Sequence, residues 1–199
     1  MKEKYLSATT SWITKYHEYD KEQIEELRYG LEGLYLTFTK LVIISLLAII
    51  LGVVKELFIL IILFNIIRFT GFGFHARTSL ECLVCSVLLF IGLPILMAYI
   101  HLSKVYLVAI GSICLVVLAI FAPADTVKRP LPNKKKRIIR KLSTIFIAII
   151  YILLSWFIKD YDLSYLLITS LILESIMVSP LIYKLFKQPY KNYLHYKQA

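Results

Sequence analysis

Charged residues and loop-forming residues are both scarce in this sequence. Only 18% of its 199 residues are charged and 59% are apolar, against about 25% and about 45–50% in an average soluble domain. Six prolines and seven glycines leave little material for long linkers or a second domain. This composition excludes an ordinary soluble protein, and we predict one membrane-embedded domain over residues 1–199.

Cysteine is also rare. The three cysteines, Cys82, Cys85 and Cys114, lie in or beside apolar segments, which is typical of reduced thiols rather than of a disulfide framework. A zinc site would lack obvious further ligands, and no alternating strand–helix pattern surrounds the Cys82–Cys85 pair as a redox motif would require. We therefore predict no metal and no cofactor. Residues 1–30 lack the apolar stretch of a signal peptide, so we expect them to stay on the protein.

The apolar residues that are present form six blocks with few charges. Uncharged runs of about 18–20 residues are long enough to cross a bilayer core of about 30 Å. The sequence thus predicts an all-α, polytopic membrane protein with about six segments. The second segment has too few apolar residues for a straight span, so we predict that its end is irregular or interfacial. The six segments are Leu34–Val54, Leu57–Ile67, Leu83–Ile100, Val105–Phe121, Leu142–Ile158 and Leu163–Leu185.

The basic residues predict the orientation of these segments. Six crossings with both termini in the cytoplasm place 20 of the 23 Lys and Arg residues inside, and leave Lys55, Lys104 and Lys159 outside. Cytoplasmic flanks of membrane proteins collect Lys and Arg in this way. We interpret the basic loop, residues 122–141, as an anchor on the anionic inner leaflet of the plasma membrane. Nucleic-acid binding is a poor alternative, and we predict none.

An apolar stripe precedes the first segment, within a region (1–33) that we predict to be cytoplasmic or interfacial. Apolar residues recur there at helical spacing among charged ones, which indicates an amphipathic helix on the inner membrane surface. The stripe could also receive a partner helix. Its members are Ile24, Leu27, Leu31 and Leu34.

The most unusual stretch, residues 71–82, joins the second segment to the third. Gly71 and Gly73 allow the chain to fold back after the second segment. The sequence from Thr78 to Glu81 is a capping box, which predicts that the third helix begins at Ser79.

His75 and Cys82 carry the candidate chemistry of this stretch. In one straight helix a seven-residue separation spans about 10 Å, too far for a base to reach a thiol, so we expect His75 in a loop facing Cys82. The first turn of a helix and a nearby imidazolium both favour a thiolate. The alternative is that Cys82 is a small buried residue and His75 an interfacial one. We interpret Cys85 and Cys114 as packing residues.

Glu174 lies in the middle of the sixth segment. A carboxylate at membrane depth needs a partner, and Arg68, Arg77 or water could provide it. Glu174 then serves either structural pairing or the chemistry itself.

Several separate motifs are similar to those of the AgrB family of accessory gene regulator peptidases, membrane enzymes of Gram-positive quorum sensing. The resemblance extends over most of the chain. The most specific motif is Gly73-Phe-His75-Ala-(x)5-Cys82, which Arg68 precedes. The others are Ala122-Pro-Ala-Asp125 with its following basic run, and Glu174-(x)5-Pro180.

The resemblance implies an activity and a set of site residues. In that family a cysteine attacks a peptide bond of a propeptide called AgrD, a histidine acts as base, and the thioester passes to a cysteine of the peptide to close a thiolactone. It implies Cys82 and His75 as the catalytic pair, at the cytoplasmic face. No third catalytic residue is evident, and a homodimer is a candidate oligomeric state. Candidate supporting residues are Arg68, Gly73, Glu81, which either caps a helix or orients His75, and Glu174.

Two other classes of function compete with this one. Six spans with Gly and Pro interruptions are also typical of a peptide or small-molecule transporter, although no inverted repeat is visible. A scaffold protein without chemistry would leave the 71–82 stretch unexplained. Cleavage of a propeptide by the purified protein separates the three hypotheses.

Overall fold

The fold is all-α. The computed structural model describes residues 2–15, 19–74, 78–126 and 130–194, and within these ranges the chain forms helices joined by loops. A π-helical turn, Leu88–Gly92, joins α4 to α5, and a 3₁₀ turn, Asn192–Leu194, follows α9. The helices are α1 Lys2–Thr14, α2 Lys21–Leu51, α3 Val54–Gly71, α4 Ser79–Val87, α5 Leu93–Ile100, α6 Lys104–Phe121, α7 Lys134–Phe157, α8 Tyr161–Val178 and α9 Pro180–Leu185.

The chain folds as two compact units, residues 1–50 and 51–199. In the first unit, Arg28 pairs with Glu3 at 2.5 Å, and the rings of Tyr5 and Tyr35 lie 5.2 Å apart. The structure does not confirm a separate amphipathic helix before the first span, because α2 runs without a break from Lys21 to Leu51. The prediction of a single domain stays a prediction.

Four of the described helices are long and apolar enough to cross a membrane: α2, α6, α7 and α8. Helix α3 has 18 residues but carries Lys55, Glu56 and Arg68. The apolar stretch Leu80–Leu96 is shorter than the four long helices. The prediction of a helical membrane protein is confirmed at this level, and the count of six crossings stays a prediction.

Helix α8 is the centre of the second unit. It packs against α3, α6 and α7, and nearly every residue from Ser164 to Val178 is buried. A helix buried on all sides must satisfy its polar groups internally. Thr169 accordingly donates to the Tyr165 carbonyl at 2.8 Å and Ser170 to the Leu167 carbonyl at 2.7 Å.

Two apolar segments differ from their predicted form. The sixth segment is interrupted at Ser179, whose extended backbone (ψ 135°) separates α8 from α9. The following Pro180 explains the break, because a residue before proline is disfavoured in the helical region. The second segment is longer than the predicted Leu57–Ile67, since α3 continues through Arg68 to Gly71.

Candidate functional site

The chain leaves α3 through a tight turn, residues 71–74, that leads directly to His75. Phe72 has φ 62° and Gly73 has φ +96°. A Cβ atom on Gly73 would lie 2.8 Å from the Met177 carbonyl oxygen and 3.0 Å from Nη1 of Arg68. Glycine is therefore required at position 73 by both backbone conformation and space, as the sequence indicated.

Main-chain hydrogen bonds fix this turn to two distant segments. The Gly73 amide donates to the Ala124 carbonyl at 2.7 Å, and the Ala124 amide donates to the Gly71 carbonyl at 3.0 Å. The Phe74 amide donates to the carbonyl of Met177, in the last turn of α8, at 2.7 Å. The turn is thus held by the central loop on one side and by α8 on the other.

The Ala122–Asp125 segment, which supports the turn, is itself anchored by the C-terminal part of the chain. The Tyr183 hydroxyl donates to the carbonyls of Ala124 at 3.2 Å and Asp125 at 3.1 Å. The Asp125 carboxylate accepts from the amides of Asn192 at 3.0 Å and Leu131 at 3.4 Å. Asp125 is only 1% exposed, so these bonds give a buried carboxylate its partners.

Arg68 and Glu174 form a buried ion pair behind the turn. Nη1 of Arg68 lies 3.6 Å from Oε2 of Glu174, whose side chain is 0% exposed. Nη2 of Arg68 donates to the carbonyl of Phe74, the residue before His75. Among the described residues, neither carboxylate oxygen of Glu174 has a hydrogen-bond partner. Arg68 therefore joins the charge of Glu174 to the backbone of the 71–74 turn.

Helix α4 begins as the sequence predicted. The Thr78 hydroxyl accepts from the Glu81 amide at 3.2 Å, and the Glu81 carboxylate accepts from the Thr78 amide at 3.4 Å, which completes the capping box. Glu81 therefore has a capping role. The Cys82 amide donates to the Thr78 carbonyl at 3.1 Å, which places Cys82 at the end of the first helical turn.

A mostly apolar cavity of about 150 Å³ opens beside Cys82. Its walls come from α3, the 71–74 turn, α4, the π-helical turn and α8. Phe74 and Cys82 line the same cavity, so the residue that precedes His75 lies near the candidate nucleophile. The lining residues are Phe64, Arg68, Phe74, Cys82, Cys85, Ser86, Leu89, Phe90, Leu173 and Met177.

The structure thus gathers Arg68, Gly73, Glu174 and Cys82 around one turn and one cavity. His75 and Arg77 lie outside the described residues, so the distance from imidazole to thiol stays a prediction. The described part of the chain contains no cluster of three or more His, Cys, Asp or Glu side chains able to hold a metal ion.

Sequence reasoning missed the contribution of α7 to the turn. Arg140 donates to the Phe69 carbonyl at 2.6 Å and lies 4.3 Å from the ring centre of Phe72. Thr144 donates to the Thr70 hydroxyl at 2.9 Å. A buried threonine one turn after an arginine, at the start of an apolar helix, is the signal that could have indicated this contact.

Comparison with known proteins assigns the family. The sequence model of the family described as AgrB, Accessory gene regulator B, matches residues 7–178. The chain belongs to the AgrB family. An AgrB-like protein of Clostridium acetobutylicum is 26% identical over 197 residues, covering 99% of this chain and 94% of that protein.

Two further AgrB relatives come from staphylococci. Accessory gene regulator protein B of Staphylococcus aureus is 28% identical, covering 87% of this chain and 91% of that protein. The protein of the same name from Staphylococcus carnosus is 24% identical, covering 79% and 82%. No solved structure gives a significant match. Family membership and the apolar helices together identify a membrane protein of the accessory gene regulator type.

Gly71 offers a direct test of the packing in this AgrB site. A Cβ atom at position 71 would lie 2.2 Å from Oε1 of Glu174, so Gly71→Ala should destabilise the protein by about 1–3 kcal/mol, the usual cost of overpacking. Gly33→Ala is the matched control, because no described atom outside the adjoining residues and backbone of its own helix lies within 4 Å of its Cβ position and alanine favours a helix. Thermal unfolding in detergent measures both. Equal melting temperatures for the two variants would contradict the close approach of Glu174 to α3.

Proposed function

We propose that this AgrB protein is a membrane cysteine endopeptidase that cleaves an AgrD-like propeptide and forms a thiolactone signalling peptide for quorum sensing. Cys82 is the nucleophile and His75 is the base. The observation that carries the proposal is that Cys82, at a capped helix start, and Phe74, directly before His75, line one cavity. Nucleophilic cysteine chemistry needs a base within hydrogen-bond reach of the thiol.

The first step transfers the acyl group of the peptide to the enzyme. His75 takes the thiol proton, and Sγ of Cys82 attacks the carbonyl carbon of the scissile peptide bond. The carbon–nitrogen bond then breaks, and the imidazolium returns the proton to the departing amine. The products are a thioester on Cys82 and the C-terminal fragment of the propeptide with a free amino group.

The second step closes the ring. A cysteine thiol of the bound peptide attacks the thioester carbonyl and forms a new carbon–sulfur bond. The bond from that carbonyl to Sγ of Cys82 breaks, and the Cys82 thiol is restored with the proton of the substrate thiol. Thioester exchange is nearly neutral in energy, so removal of the C-terminal fragment draws the reaction forward. Water competes less well, because a tethered thiol has a high effective concentration.

The apolar cavity supports a preference at the cleavage point. An engineered cavity of about 150 Å³ binds benzene, so a cavity of this size beside Cys82 suits an apolar or aromatic side chain. We therefore infer that the residue whose carbonyl acylates Cys82 carries such a side chain.

Mass spectrometry of the products tests this function. The purified protein in lipid, incubated with a candidate propeptide, should yield a cyclic N-terminal product lighter by one water than the linear fragment. A propeptide with its internal Cys replaced by Ala should give acyl-enzyme or linear acid instead. Lys before the scissile bond should slow cleavage by roughly tenfold or more, since a charge is costly in a mostly apolar cavity and Arg68 in its wall repels a cation. Only linear acid from the Cys-containing propeptide would reject cyclisation, and no cleavage at all would favour the transporter.

We further propose that six segments cross the membrane, with both termini and Cys82 on the cytoplasmic side. Position 104 is unsuitable for a labelling cysteine, because the Lys104 side chain donates to the carbonyls of Trp156, at 3.2 Å, and Ile158, and the substitution would remove both hydrogen bonds. Ser103, which is exposed, is the better outer position. In a cysteine-free background, an impermeant thiol reagent should label Ser103→Cys in intact cells but leave Lys135→Cys unlabelled until the cells are opened. Similar labelling of both in intact cells would reject the orientation.

A further inference from the structure

A second cavity, of about 280 Å³, lies where α6 ends and α7 begins. We call it the basic cavity. Its lining combines four cations from two separate segments with exposed apolar side chains, and the Ala122–Asp125 segment forms another wall. The four cations are Lys134, Arg137, Lys141 and Lys191.

The one acidic residue of the basic cavity, Asp125, offsets only one of its four positive charges. The Asp125 carboxylate accepts from the amides of Asn192 and Leu131, so these hydrogen bonds hold it to the main chain. Nη1 of Arg137 donates to the Leu131 carbonyl at 3.1 Å, and its guanidinium lies 3.8 Å from the ring centre of Tyr193. Arg137 is thus held in place, as a preformed anion site requires.

Tyr190, an aromatic residue of the lining, stays neutral. Burial raises the pKa of Tyr190 to about 12, so its hydroxyl remains protonated at physiological pH. It lies 3.5 Å from the Phe121 carbonyl, to which it donates. A neutral phenol adds no negative charge to that of Asp125, so the four cations stay in excess and set a positive potential.

The depth of the basic cavity indicates the kind of anion. Helix α7 changes from basic to apolar within its first two turns, and Ile139 and Leu142 are each more than 60% exposed. Large exposed apolar side chains on a membrane helix face hydrocarbon. Because Ile138 lines the basic cavity beside Lys134 and Lys141, the cavity lies where headgroups meet the first acyl carbons. A soluble acidic peptide would leave that apolar wall without a partner.

We propose that the basic cavity binds the headgroup of an anionic phospholipid. The four cations face the phosphate, and Ile120 and Ile138 face the glycerol and the start of the acyl chains. This is a discrete binding site, distinct from a diffuse attraction of basic residues to the membrane surface. It does not depend on the peptidase function, because none of its residues lines the cavity beside Cys82.

Lipid binding to the full-length protein in detergent tests the proposal. Native mass spectrometry with equal amounts of dioleoyl phosphatidylglycerol and dioleoyl phosphatidylcholine should show a clear preference for the former. Lys134→Gln/Lys141→Gln should weaken phosphatidylglycerol binding about tenfold, because each variant lysine loses a charge-assisted contact with the phosphate that contributes several-fold to binding. Lys135→Gln/Lys136→Gln is the matched control. It removes the same charge from the same helix, but neither side chain lines the cavity, and binding should change by no more than about twofold.

A second variant and two competitors complete the test. Lys191→Gln lies in a different segment and should weaken binding about threefold, which keeps the proposal testable if the double variant fails to fold. Glycerol 1-phosphate and hexaglutamate, at the lipid concentration, should not displace the lipid. Equal losses in both double variants, equal binding of both lipids, or displacement by either soluble anion would overturn the site.

Discussion

The Cys82→Ala protein should lose propeptide cleavage by at least about a thousandfold while still inserting into the membrane. Loss of a nucleophile removes the covalent route altogether. His75→Ala should cost about 100- to 10,000-fold, the usual contribution of a general base. The measurement is release of the C-terminal fragment by purified protein in lipid vesicles, at equal amounts of folded protein.

Cys85→Ala is the sharp control for this prediction. Cys85 lies three residues further along α4 and lines the same cavity as Cys82, but it is further from the helix start. Cys85→Ala and Cys114→Ala should retain activity within a few-fold. An inactive Cys85→Ala protein beside an active Cys82→Ala protein would show that Cys82 is not the nucleophile.

Removal of either member of the Arg68–Glu174 pair should be the most damaging change to the fold. Glu174 is fully buried and 3.6 Å from Arg68, and breaking a buried pair typically costs about 3–5 kcal/mol because one charge is left alone. We expect Glu174→Leu and Arg68→Met each to lower the unfolding temperature strongly. Glu174→Gln should be milder, because the amide keeps its hydrogen-bonding capacity. Thermal unfolding of the protein in detergent measures these effects.

The double variant Arg68→Met/Glu174→Leu separates stability from function. It removes both charges, so it should be more stable than either single variant. It should nevertheless remain poor in cleavage, because Arg68 also donates to the Phe74 carbonyl beside His75. Additive losses of stability would contradict the pairing, and full activity in the double variant would show that Arg68 does not position the turn.

Local signals predicted the parts of the site that local structure builds. The capping box from Thr78 to Glu81 predicted the start of α4, and the glycines at 71 and 73 predicted the turn. Each of these depends on a few neighbouring residues, so the sequence contains the whole cause. The need of Glu174 for a basic partner was also predictable, since a carboxylate within a membrane span is costly alone.

Contacts between distant segments could not be predicted in the same way. The hydrogen bond between Gly73 and Ala124 uses main-chain atoms. Such a bond does not require particular side chains, so the sequence pattern does not reveal it. The length of α3 was missed because Arg68 looked like a helix boundary, whereas Glu174 and the Phe74 carbonyl compensate its charge inside the bundle. The break at Ser179 had a local signal in Pro180, but the continuous apolar run of the sixth segment outweighed it.

The position of Cys82 on the wall of a cavity has a pharmacological consequence. A small electrophile with a benzene-sized head would be held by non-covalent contact before it reacts, so selectivity could come from the head group and a mild warhead would suffice. Because Cys85 lines the same wall, the reach of the warhead would decide which thiol it modifies. Compounds of graded linker length would therefore serve both as leads against the proposed peptidase and as measures of the distance from the cavity to each sulfur.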